Sequence, residues 1–107
     1  MSRTLADIQQ DAEAVSRLYA RNCGIDRNDD WYVLKLQEEA GELTSAYLRL
    51  TARGRDKGEA RDAIRRQFED ELADCMAQIL LIAEKNGVDL EAAMERKWFA
   101  YLDTSPA

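Results

Sequence analysis

Five carboxylates fall into two short segments, and their spacing suits them to bind a cation. Glu38, Glu39 and Glu42 lie within Lys35-Leu36-Gln37-Glu38-Glu39-Ala40-Gly41-Glu42-Leu43, and Glu71 and Asp74 within Asp70-Glu71-Leu72-Ala73-Asp74-Cys75. Both segments carry the apolar period of an amphipathic helix, on which residues three or four apart share a face. Glu39 and Glu42 then project together, as do Glu71 and Asp74. Side-by-side packing of the two helices would converge four acids, with Glu38 beside them. Such a group repels itself unless a hard cation neutralises it, and an all-oxygen donor set suits Mg²⁺, with Mn²⁺ as the alternative. A solvated helix face is the ordinary setting for any one of these residues. Clustering like charges at helical spacing, however, costs local stability with no local return, which is the pattern of a site.

The elements that position these acids read as four helices. The first spans about Thr4 to Cys23, with Leu5, Ile8, Ala12, Val15, Leu18 and Tyr19 at three-and-four spacing and Gly24 as its stop. Asp30 is placed to cap a second helix from about Trp31, whose seam is Leu36, Ala40, Leu43, Tyr47 and Leu50. A charged, glycine-containing loop at 53–58 precedes a third helix, about Glu59 to Asn86. Its inward residues are expected to be Ile64, Phe68, Leu72, Cys75, Ile79, Ile82 and Ala83. Asn86-Gly87 ends it, and Asp89 caps a fourth helix, Leu90 to about Leu102. The expected fold is all-α, a four-helix-bundle-like domain over residues 1–107. At about 100° per residue, Glu39 is expected about 60° from the second helix's seam and Glu42 about 120° from it. Both acidic groups would then border their apolar stripes as a cleft wall.

Composition narrows the chemistry. The chain has 107 residues, 46% hydrophobic and 34% charged, with one proline and five glycines, which favours one domain of a few long helices. A net charge of −6 argues against a nucleic-acid partner. The absence of histidine excludes a histidine triad, a His-ligated zinc site and Glu-x-x-His di-iron pairs. Cys23 and Cys75 lie on different expected helices with no CxxC spacing, so reduced, core-type thiols are expected. Met1-Ser2-Arg3-Thr4 leads directly into a polar helical pattern with no apolar signal segment, and Met76 to Ala83 is too short to span a bilayer. The expected location is cytoplasmic, with no membrane partner. The basic run Arg53, Arg55, Lys57, Arg61, Arg65 and Arg66 could lend a cation to a polyphosphate, but a solvated loop and helix start is its ordinary explanation.

The two acidic segments together resemble a known family. Glu38-Glu39-x-x-Glu42 followed by Glu71-x-x-Asp74 resembles the signature of the MazG-like all-α nucleoside triphosphate pyrophosphohydrolases. Asn86-Gly87-Val88-Asp89-Leu90-Glu91-Ala92-Ala93 with Lys97 is similar to the segment that family places before a phosphate-contacting lysine. The resemblance covers roughly Trp31 to Tyr101. It implies Mg²⁺-dependent hydrolysis of an NTP or dNTP to the monophosphate and pyrophosphate, in nucleotide-pool house-cleaning. Carried over by position, Glu39, Glu42, Glu71 and Asp74 would ligate metal. Glu38 would hold a second metal or orient the attacking water, and Lys97 would meet the phosphates. An asparagine often follows that lysine in the family; here the chain reads Trp98-Phe99-Ala100-Tyr101, and Tyr101 is left to supply a contact. Trp31 could stack on a base, with core packing as its plain alternative, and Gln78, one turn beyond Asp74, borders the same edge. The resemblance and the apolar inventory of so short a chain together imply a homodimer or homotetramer. A phosphoribosyl-ATP pyrophosphohydrolase and a non-catalytic helical oligomerisation module are the competing readings.

Overall fold

A computed structural model describes residues 2–103, and these are helical without a strand. The elements are α1 (Leu5–Cys23), α2 (Asp29–Leu50), α3 (Arg61–Asn86), α4 (Leu90–Lys97) and a terminal 3₁₀ turn, η1 (Phe99–Asp103). No helix among the described residues is long and apolar enough to cross a membrane.

Side-chain caps fix most of the helix starts. Thr4 accepts from the Asp7 amide while the Asp7 carboxylate accepts from the Thr4 amide, closing a capping box ahead of α1. Asn28, rather than Asp30, caps α2: its side chain accepts from the Trp31 amide at 2.9 Å. Asp29 and Asp30 instead lie in the first turn, where the helix dipole favours acids. α3 begins at Arg61, two residues later than expected, after Ala60, which offers no capping side chain. Gly24 and Gly87 end α1 and α3 in left-handed conformation, φ 65° and 64°. The expected fourth helix is split: α4 stops at Lys97 and the chain tightens into η1.

α2 and α3 form a long antiparallel hairpin, the largest packing surface in the chain. Its register follows from the paired side chains. Arg49 donates to Gln67, the Glu42 carboxylate meets Glu71, Glu39 faces Asp74, and Lys85 lies over the Tyr32 ring. The end of the hairpin is closed by Arg49, which also pairs with Glu59, and by Arg61, which donates to the terminal carbonyls of α2. Arg61 is thus already committed, as are Arg53 (over the Tyr47 ring) and Arg65 (paired with Glu69).

α1 docks against the C-terminal half of α3, where Gln9 donates to Glu84. A half-buried clasp ties α1 to the start of α2: Arg27 donates to Glu13 at 2.9 and 3.0 Å and to Ser16 at 3.0 Å. Arg27 and Lys85 both lie over the ring of Tyr32, which is buried. α4 and η1 pack on each other and touch the earlier helices only marginally. The all-α expectation holds, but one chain does not close four helices around one seam. It forms a hairpin, a flanking helix and a projecting arm.

Candidate metal centre

The acids do not border the α2 seam as expected; one of them is at its centre. The buried residues of α2 are Tyr32, Glu39 and Ala46, spaced seven apart, so Glu39 holds a core position of the hairpin. Tyr47, expected in the seam, is 45% exposed. α3 repeats the pattern. Ile64, Glu71 and Gln78 follow one another at the same spacing, the first buried and the other two half-buried. Leu72 and Ile79, expected to face inward, are each 46% exposed, while Leu80 and Leu81 are buried. The cause is that α3 meets α2 on one side and α1 on another near its C-terminal end, which spreads its buried positions round the helix. Cys75 is half-buried, whereas Cys23 is exposed and not the core thiol expected; neither forms a disulfide.

Glu39, Glu42 and Glu71 converge, each offering one carboxylate oxygen within 4.8 Å of the others. Glu39 is only 8% exposed, Glu71 is half-buried, and Glu42 is open to solvent. Glu39 Oε2 and Glu71 Oε2 are buried with no hydrogen-bond partner, as is Gln78 Oε1. Burial chiefly, then repulsion from Asp74 and Glu42, holds the Glu39 carboxyl above the usual range; Lys35 opposes this. Glu71 is raised by burial and then by Glu42, Asp74 and Glu39, with Glu42 within hydrogen-bond reach. The Cys75 thiol is pushed up by burial and then by Glu39, Glu71 and Asp74. Asp74 is therefore electrostatically part of the group, though exposed and outside the closest trio.

Glu38 is turned toward Lys35, which donates to it at 3.1 Å and stands 3.6 Å from Glu39. That hydrogen bond is the main reason the Lys35 ammonium titrates above its ordinary value. Lys35 is a site residue that reading the acids alone missed. Its signal was present in the sequence as a lysine three and four residues before two glutamates on one helix.

The remaining candidates divide by position. The register places half-buried Gln78, one turn beyond Asp74, at the level of Lys35 of α2. Trp31 is half-buried near the start of α2, edge-on to Tyr32 at 5.1 Å between ring centres. Lys97 and Tyr101 are not brought to the acids. They lie on the arm and, with Trp98, line a separate, largely apolar recess of about 450 Å³.

The donor set fits a hard divalent cation. All its atoms are oxygen, and two buried carboxylate oxygens lack any partner, which is costly unless a cation or proton meets them. Glu39, Glu42 and Glu71 are the residues placed to hold one. No protein-family model, curated protein or solved structure matches the chain.

Proposed function

We propose that the chain is a Mg²⁺-dependent pyrophosphohydrolase that cleaves nucleoside triphosphates between the α- and β-phosphates. The observation that carries the reading is Glu39, a core-position glutamate with an unpartnered buried oxygen inside a cluster of like charges. Stability alone gives no reason to keep a carboxylate there. The resemblance of both acidic segments to the MazG-like pyrophosphohydrolases supplies the reaction class. A cytoplasmic nucleotide-pool role and assembly as a homo-oligomer belong to the same reading.

Bound Mg²⁺ supplies charge neutralisation for the phosphates and lowers the pKa of water at the site. The chain's own residues then divide the work. Glu39 and Glu71, in the hairpin core, would hold the ion together with the exposed Glu42 and Asp74. Glu38 stands at the mouth, steadied by Lys35, and is the group that orients the attacking water and takes its proton. The water oxygen forms a bond to the α-phosphorus as the bridging P–O bond breaks, and pyrophosphate leaves. No Ser, Cys or His nucleophile is needed.

A panel of canonical and modified nucleotides with Mg²⁺, scored for pyrophosphate rather than orthophosphate, tests the activity. In ¹⁸O-labelled water the label is expected in the monophosphate. Label confined to pyrophosphate, or orthophosphate as first product, would overturn the mechanism. Glu38→Gln is expected to lower turnover about 100-fold with little change in nucleotide affinity.

A further inference from the structure

Among the described residues, four buried side-chain atoms lack a hydrogen-bond partner, and all four lie on the α2–α3 hairpin: Glu39 Oε2, Glu71 Oε2, Gln78 Oε1 and Arg49 Nε. Three are acceptors, which a cation answers. The fourth is a donor on a guanidinium, and only an acceptor answers it. Positions 31, 35, 38, 42 and 49 recur at steps of four, three, four and seven, so Arg49 shares one edge of α2 with Trp31, Lys35, Glu38 and Glu42. Long side chains on a helix lean toward its N-terminus. Arg49 does so, donating to Gln67 of α3, which stands one turn, about 6 Å, before Glu71. The acids therefore have a half-buried cation at each end. Lys35 stands beside Glu38 and Glu39, and Arg49 lies beyond Glu42 and Glu71.

The two cations differ in how they are held. Lys35 is engaged by the acids themselves. Arg49 gives one terminal nitrogen to the neutral Gln67 and the other, Nη2, to Glu59 in the segment before α3. Nη2 and the unpartnered Nε form the side of the guanidinium that takes two oxygens of a phosphate or carboxylate at once. One prong of that fork is lent to Glu59 and the other is idle. The Glu59 side chain is 41% exposed and that of Arg49 15% exposed. The carboxylate can therefore turn out to water while the guanidinium stays in place.

We propose that Arg49 receives the terminal phosphates of the substrate and that Glu59 holds their place until they arrive. This deepens the pyrophosphohydrolase reading and rests on it. With the α-phosphate at the carboxylates, the β- and γ-phosphates extend toward the loop end of the hairpin, a step that two phosphoanhydride links cover. The nucleoside then points toward Lys35. The Arg49 fork meets the negative charge that gathers on pyrophosphate as the bridging bond breaks. Glu59, a like charge to the phosphates, is displaced. A monophosphate at the same acids does not reach Arg49, so this residue separates polyphosphates from monophosphates.

The test is calorimetric binding of inorganic pyrophosphate, with orthophosphate as the control, to the full chain in Mg²⁺. Glu59→Gln removes the competitor and is expected to tighten pyrophosphate binding about fivefold, and Arg49→Gln to weaken it at least tenfold. The double variant should bind as weakly as Arg49→Gln alone, because the gain from freeing Arg49 needs Arg49. Arg49→Lys keeps the charge without the fork, and it stands in if loss of the charge unfolds the hairpin end; it too should weaken binding. Orthophosphate affinity should change little in every variant. A folded Glu59→Gln chain that binds pyrophosphate no more tightly than wild type overturns the proposal, since a purely structural Arg49–Glu59 pair gives that result. So does a gain that persists in the double variant, or a wild type that binds no pyrophosphate. Binding and turnover fail separately. Arg49-dependent binding without hydrolysis keeps this inference and removes the enzyme reading, whereas hydrolysis with no response to Glu59→Gln does the reverse.

Discussion

Glu39 occupies a position that a leucine would fill in an ordinary helical pair. It is kept apart from any hydrogen-bond donor on one oxygen and surrounded by Glu42, Glu71 and Asp74. In the metal-free chain that arrangement opposes folding. Glu39→Gln is therefore expected to raise metal-free stability by about 1–2 kcal/mol, while abolishing the rise in Tm that Mg²⁺ produces. Thermal unfolding with and without Mg²⁺ measures both effects. The pH dependence has a definite sign. Glu39 and Glu71 are held above the ordinary glutamate value of 4.5 in the folded chain. As pH rises past that value the unfolded chain ionises first, so stability falls until the raised folded values are passed. Urea midpoints across this window should show the fall, and saturating Mg²⁺ should flatten it. Lys35 offsets part of the repulsion from within. Lys35→Met should tighten Mg²⁺ binding roughly tenfold, since the ion no longer competes with a resident ammonium, and lower metal-free stability. Calorimetric titration reads the first effect.

The helices themselves were legible in the sequence, because periodicity and glycine stops are local signals. Gly24, Gly87 and Asp89 act as their residue types suggest. The facing of α2 and α3 was not legible, for a physical reason. A search for the seam looks for apolar residues, and the true core lines of the hairpin carry Glu39, Glu71 and Gln78 between Tyr32, Ala46 and Ile64. The convergence of Glu39, Glu42 and Glu71 could be read; the burial of Glu39 could not. Asn28 also took the cap from Asp30 without a stronger local signal, being one of several acceptors in an Asp/Asn-rich turn. Lys97 was placed with the acids by resemblance, and nothing local in α4 reveals which way the arm leaves α3. The clasp beside the start of α2 gives a prediction of its own. The hydrogen bond from Arg27 holds Glu13 below the ordinary carboxylate range, with both side chains 14% exposed. Its contribution is present above the ordinary glutamate value and lost as pH falls through the lowered one. Arg27→Ala should cost about 2 kcal/mol near neutral pH, and less in acid, by denaturant unfolding.

At the scale of the whole molecule, a flat chain with extents of 48 × 47 × 32 Å has little interior. If association completes that interior, Tm must depend on chain concentration, rising roughly 3–5 °C per tenfold increase; scanning calorimetry over two decades of concentration is the check. The hairpin has a further consequence, for the order in which the chain folds. All five carboxylates lie on α2 and α3, and the facing acids are only about 30 residues apart in sequence. Contacts this local form early, so the like charges are forced together while the hairpin zips and before α1 or the arm can compensate. Their repulsion then belongs to the folding barrier as much as to the folded state. Mg²⁺ should accordingly speed refolding strongly and slow unfolding little, a division that stopped-flow chevrons at two ion concentrations display directly.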